Sequence, residues 1–134
     1  MPRTVGPVRS NAWQRRQRIA LQRFGLTHSQ FVVLATVTWF GDKEALTQAR
    51  LAELSGVDPM TTSQIVRTLE AAGLLTRVEH PADPRAKVVS VTVAGRAKAR
   101  QAVVAVERAD AEFFEPVAAR SEALLKIFRA LDRG

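Results

Sequence analysis

At 134 residues and 46% hydrophobic content, the chain is long enough for one domain with a real core, and it is no disordered basic tail. A net charge of +7 favours an anionic partner, because neutralising phosphates releases condensed counterions, although charge alone does not separate DNA from RNA or acidic lipid. The lack of cysteine excludes disulfides, thiolate metal sites and thiol redox sensing, and the only histidines, His28 and His80, lie far apart with no carboxylates at ligand spacing.

The first 25 residues carry Arg3, Arg9, Arg15, Arg16, Arg18 and Arg23 and no acid, a composition shared with mitochondrial transit peptides. Ala12, Trp13, Ile19, Ala20 and Phe24 lay an apolar strip along the same segment, which reads better as a helix that packs. Thr27 and Gln30 form a capping box for the next helix. There Phe31, Val32, Val33, Leu34, Ala35 and Val37 are apolar nearly all round, so this helix is expected at the centre. The Phe31 to Phe40 stretch is the longest apolar run; Thr36 and Thr38 interrupt it and it is too short to span a bilayer, so a soluble protein with no membrane partner is expected. Glu44 to Leu46 is expected to add a short third strand to the sheet that follows.

Thr47 can cap a short helix through Leu54, and Ser55-Gly56-Val57 turns the chain into another. Ala52 and Gly56 are small where the two helices must cross. Asp58 as a cap, Pro59 at the first helical position and Gly73 as a left-handed stop bracket a helix from Pro59 to Ala72. On a wheel of about 100° per residue, Thr62, Ile65, Leu69 and Ala72 make one buried stripe, and Met60, Ser63, Gln64 and Arg67 fall together on the other side. This is the helix-turn-helix layout, whose second helix enters the major groove; an ordinary packed helical corner has the same local pattern.

Leu74 to Glu79 and Lys87 to Val93 alternate and are rich in β-branched residues, which predicts an antiparallel hairpin. Its tip, HPADPRA, holds two prolines and no large apolar residue, so His80, Arg85 and Lys87 are expected to be exposed. A solvated turn in which Asp83 merely pairs with Arg85 is the alternative. Thr92 can cap a long helix from Ala94 to Glu115, ended by Pro116. Val103, Val106, Phe113 and Phe114, then Val117, Leu124, Ile127, Phe128 and Leu131 on a last amphipathic helix, offer more apolar surface than a monomer readily covers. An interface with a second copy is expected, a fold-back onto the same chain being the other arrangement.

The run LAELSGVDPMTTSQIVRTLEAAGLLTR followed by DPRAKVVSVT resembles MarR-type (multiple antibiotic resistance regulator) winged-helix transcription factors, over about Leu26 to Arg100. Asp83, Arg85 and Thr92 match that family's wing signature, and Val91 stands where it has Leu. The resemblance implies a mainly α fold with a small antiparallel β wing: a single domain over 1–134, with a winged helix-turn-helix lobe at 27–93 and dimerisation helices at 1–26 and 94–134. It implies that Ser63, Gln64 and Arg67 face base edges, flanked by Met60, and that Thr61 and Thr62 lie near phosphates, with packing the main role of Thr62. Arg85 would enter the minor groove, Asp83 would hold its guanidinium, and Lys87 would add charge.

The function so implied is a dimeric, sequence-specific regulator in the bacterial cytoplasm, on the nucleoid, that represses from an inverted repeat and is released by a small aromatic or anionic ligand. Trp13, Arg16 and Trp39 are candidates to line the effector cleft, unless the tryptophans simply fill the dimer core. No cofactor or metal is expected. Catalysis is not expected either, since no paired carboxylates sit near a histidine and no Gly-x-Ser-x-Gly or phosphate-loop motif occurs. The alternative function is a basic nucleic-acid binder of low sequence specificity.

Overall fold

The computed structural model describes residues 2–113, with side chains over 12–111. Five helices and one hairpin follow in the order α1 (Pro2–Gln22), α2 (His28–Phe40), α3 (Gln48–Ser55), α4 (Pro59–Ala71), β1 (Leu75–Glu79), β2 (Lys87–Val91) and α5 (Val93–Phe113). The expected end of the long helix at Glu115 and Pro116, and the last amphipathic helix, lie outside the described residues.

α2 is the centre, as its nearly uniform apolarity predicts. It contacts α1, α3, α4, α5 and β2, and Val33, Leu34 and Val37 are fully buried. The capping box is present in both directions, Gln30 N–H to Thr27 Oγ1 at 3.2 Å and Thr27 N–H to Gln30 Oε1 at 3.0 Å. Thr36 and Thr38 are tolerated in this interior because each hydroxyl donates back to its own helix, to the carbonyls of Val32 (2.7 Å) and Leu34 (2.8 Å).

α1 packs chiefly along α5. Of the strip expected on α1, Ala12, Trp13, Ala20 and Phe24 are half-buried and Ile19 is 58% exposed, while the most deeply buried positions are Gln17 and Leu21. The arginine-rich composition obscured this, because a face holding Gln17 has no uniform apolar signature.

The hairpin pairs Leu75 with Val91 and Glu79 with Lys87 in antiparallel register. Among the described residues the sheet has two strands, so Glu44 to Leu46 does not form the expected third. The segment makes a single ladder-like bond, Val89 N–H to Leu46 C=O at 2.7 Å, while Leu46 buries its side chain completely in the core. Three residues anchored at one point are too short to propagate a ladder.

On α4 the buried face is Thr62, Ile65, Val66 and Leu69; Ala72, expected to complete it, is exposed as the C-cap, and Val66 takes the remaining position. Gly56 and Gly73 both have positive φ, +75° and +78°. A Cβ at Gly56 would meet no atom within 4 Å, so glycine is needed there for its left-handed backbone and not for a close helix crossing, which corrects the reason first assigned to it. The true close approach is at Gly95, described below.

Candidate nucleic-acid interface

The interface is built outward from α4. Asp58 accepts the Thr61 N–H at 2.9 Å, which fixes the start of the helix and holds its carboxyl below the usual carboxylate range, the backbone bond to Thr61 being the main cause. Thr62 is fully buried and donates its hydroxyl to the Val57 carbonyl at 3.1 Å, so it ties the helix to the preceding turn, the packing role expected of it. Thr61 is half-exposed. Met60, Gln64 and Arg67 are exposed and Ser63 is half-buried, which leaves the polar strip on the face opposite the core. Arg67 Nη2 reaches Ser63 Oγ at 3.4 Å, an exposed contact one turn apart that a base edge can displace. Thr68, exposed on the flank of the strip, was not singled out from sequence; its hydroxyl bonds the Gln64 carbonyl at 3.0 Å.

α3 leads into α4 through the Gly56 turn, closed by Gly56 N–H to Ala52 C=O at 3.0 Å and by Val57 N–H to Ser55 Oγ at 3.3 Å. The wing is fastened to α4 by Arg77, whose guanidinium meets Glu70 Oε1 at 3.1 Å. At the wing tip Asp83 accepts the Arg85 N–H at 3.0 Å and the Ala86 N–H bonds the Asp83 carbonyl at 3.0 Å, so Asp83 chiefly shapes the turn. The Arg85 guanidinium lies 3.7 Å from the same carboxylate, and its side chain is 95% exposed. Lys87 is exposed at the foot of β2. His80, expected at the surface, is half-buried, and its Nδ1 accepts the Ala82 N–H at 3.0 Å. It is a turn residue.

The three candidates for an effector site are not brought together as one wall. Arg16 lines a groove of about 450 Å³ between α1 and α5, together with Ile19, Ala20, Arg23, Ala105, Arg108 and Ala109. Trp13 lies outside that lining and gives its indole N–H to Asp110 at 2.6 Å, and Trp39 is 45% exposed near the end of α2. Asp110, which also accepts from Gln17 at 3.3 Å, could not have been found from sequence, since nothing local marks a partner 97 residues away. No cluster of three or more His, Asp or Glu among the described residues could hold a metal ion, and no helix among them is long and apolar enough to cross a membrane.

A turn-linked helix pair followed by a two-stranded wing defines a winged helix-turn-helix protein. A model of the MarR family matches residues 26–87. The chain is 39% identical over 106 residues to the uncharacterized HTH-type transcriptional regulator YdcH of Bacillus subtilis, covering 78% of this chain and 72% of that one. It is 34% identical over 92 residues to the HTH-type transcriptional repressor Rv2887 of Mycobacterium tuberculosis, 69% of this chain and 64% of the relative. The crystal structure of Rv2887 in complex with p-aminosalicylic acid superposes with a TM-score of 0.71 at 26% identity, over 97% of this chain and 95% of that one. MepR, a transcription regulator of a Staphylococcus aureus multidrug efflux pump, shares the fold with a TM-score of 0.76 at 18% identity, over 98% of each chain. The chain belongs to the MarR family of HTH-type transcriptional regulators.

Proposed function

We propose that the protein works as a homodimer that represses transcription from an inverted-repeat operator and lets go when a small aromatic or otherwise anionic acid binds. The observation that carries the DNA reading is the pairing of an outward polar strip on a capped helix (Met60, Ser63, Gln64, Arg67) with a wing whose Arg85 is 95% exposed. Arg67 has the fork geometry for guanine and Gln64 suits adenine, while Thr61, near the helix start, suits phosphate. Arg85 enters the minor groove, where a narrow A·T-rich segment concentrates negative potential, with Asp83 setting the turn that presents it and Lys87 adding backbone attraction. Two copies related by a twofold axis present their α4 helices roughly 34 Å apart, one helical turn of DNA.

The effector reading is supported by the α1–α5 groove, which Arg16, Arg23 and Arg108 line together with Ile19 and alanines. That lining suits an anion with an apolar body, in keeping with the p-aminosalicylic acid complex of Rv2887. An effector acts only to the extent that it binds the released geometry better than the DNA-bound one. The protein therefore acts by binding and not by catalysis, on the nucleoid of a bacterial cytoplasm, as its bacterial relatives suggest.

The test is to incubate the purified protein with sheared genomic DNA of its source at physiological salt, recover bound fragments and sequence them. Enrichment of one or a few inverted repeats is expected. Recovery of DNA without enrichment would replace this reading with a low-specificity nucleic-acid binder, since specific readers gain about 4–10 kcal/mol over random DNA.

A further inference from the structure

Between the wing and α5 stands Thr92, and every polar group it has is in use. Its N–H donates to the Leu74 carbonyl (3.1 Å) and its hydroxyl donates to the Gly73 carbonyl (2.7 Å). The same hydroxyl accepts the Gly95 N–H (3.0 Å), and the Thr92 carbonyl accepts the Arg96 N–H (2.9 Å). Gly73 and Leu74 are the exit of α4, closed by Gly73 N–H to Glu70 C=O (3.0 Å) and Leu74 N–H to Leu69 C=O (2.9 Å). Gly95 and Arg96 are the first turn of α5.

Gly95 completes the joint from the other side. A Cβ there would stand 2.0 Å from the Leu74 carbonyl oxygen and 2.9 Å from Val91 Cγ2, so only glycine lets the first turn of α5 lie directly on the backbone leaving α4. Glycine this early in a helix has no capping use and costs about 1 kcal/mol against alanine, which fits a position held by close approach. The first turn of α5 is thus held to the backbone leaving α4 by the backbone bonds and the hydroxyl of Thr92, with the Val91 side chain beside Gly95.

We infer that Thr92, seated against Gly95, is a positioning residue for DNA recognition: it locks the reading helix α4 to α5, so that the attitude of α4 follows that of α5. The inference rests on the DNA-reading role proposed above. It adds a path by which that role is controlled, because α5 also forms one wall of the α1–α5 groove through Ala105, Arg108 and Ala109. A shift of α5 there is handed to α4 at the joint and changes the separation of the two reading helices.

Two measurements on the full chain test this. Hydrogen exchange read by NMR on Thr92→Val should accelerate about tenfold or more at the Leu74 amide as well as at Gly95 and Arg96, with α2 amides unchanged and Thr92→Ser restoring protection. Acceleration confined to Gly95 and Arg96 would mean a simple helix cap and would overturn the inference. Gly95→Ala approaches the joint from the opposite side and should accelerate the same Leu74 amide.

The second measurement compares operators whose half-sites are moved apart or together by one base pair. The unsubstituted chain should prefer one spacing, and Thr92→Val should lose at least about fivefold of that preference, a size typical of coupling between sites, while its affinity for an isolated half-site holds. A uniform loss of affinity at every spacing would overturn the inference. If the unsubstituted chain shows no sequence preference, the regulator reading fails, and the exchange pattern still decides whether the joint exists.

Discussion

Trp13 and Asp110 are joined by a 2.6 Å hydrogen bond that crosses from α1 to α5, with Gln17 adding a second donor to the same carboxylate oxygen at 3.3 Å. The bond is partly buried, and it is a polar stitch in a helix pair that also packs Leu21, Ala99 and Ala102 in the core. Asp110→Ala leaves the indole N–H and the Gln17 amide without their acceptor, and it should cost about 1.5–2 kcal/mol, the lower part of the range for bonds to charged groups because the site is not fully dry. Asp110→Asn keeps an acceptor and should cost less. Urea unfolding followed by tryptophan fluorescence reads both; equal stability of Asp110→Ala and the unsubstituted chain would show that the bond adds nothing.

The glycines give a second expectation. Gly56 has open space around it and a left-handed backbone, so Gly56→Ala pays only strain, about 1–2 kcal/mol, and Gly56→Asn, which tolerates that conformation, should cost less. Gly95→Ala meets a backbone oxygen instead and should be the worse of the two alanine substitutions, although its backbone φ is not left-handed. Thermal unfolding of the three variants checks the order.

Much of this architecture was legible in the residues. The caps at Thr27, Thr47, Asp58 and Thr92, the stop at Gly73 and the β-branched alternation after it fix the local elements, because capping and periodicity are short-range signals. What escaped were long-range matters. Whether Glu44 to Leu46 pairs as a strand, that Gln17 is buried on α1 where Ile19 is not, and that Trp13 meets Asp110 all depend on which elements meet in space. Gly95 was the one legible hint left unread, a glycine three residues after a helix cap, where a good helix former would otherwise serve.

Asp58 makes α4 acid-sensitive in a defined direction. Its carboxyl sits below the usual range because the folded chain supplies the Thr61 amide as a donor. The unfolded state therefore binds the proton more readily than the folded one, so the stabilisation is present at neutral pH and is lost as pH falls through the lowered folded value. Asp58→Asn keeps a capping oxygen that does not titrate. Stability measured from pH 7 down to about pH 3, below the ordinary aspartate pKa, should fall less steeply for Asp58→Asn, and identical slopes would remove Asp58 from the acid response.

For the effector groove proposed above, p-aminosalicylic acid, the ligand in the Rv2887 complex, serves as the probe. Titration calorimetry should detect its binding, and Arg23→Ala and Arg108→Ala should each weaken it, while the neutral amide of the same acid binds poorly to all forms. Both arginines lie outside α4, the wing and the Thr92–Gly95 joint, so operator affinity without the probe should stay within about twofold. Binding that survives the removal of both guanidiniums would move the effector out of this groove.

Arg85 and Lys87 sit within two residues of each other on the wing, yet the proposed contacts give them different signatures. Lys87 at a phosphate contributes counterion release alone, so Lys87→Ala should weaken binding equally on all sequences and lower the slope of log affinity against log salt by about one. Arg85 in the minor groove senses groove width, and its removal should cost about 1–3 kcal/mol on a half-site flanked by A·T pairs and clearly less where the flank is G·C. The contrast between flanks, measured by fluorescence anisotropy at two salt concentrations, is what assigns the groove. If Arg85→Ala loses the same affinity on both flanks, the arginine is a second phosphate contact and the minor-groove assignment falls, while the reading proposed for Ser63, Gln64 and Arg67 is untouched by that result.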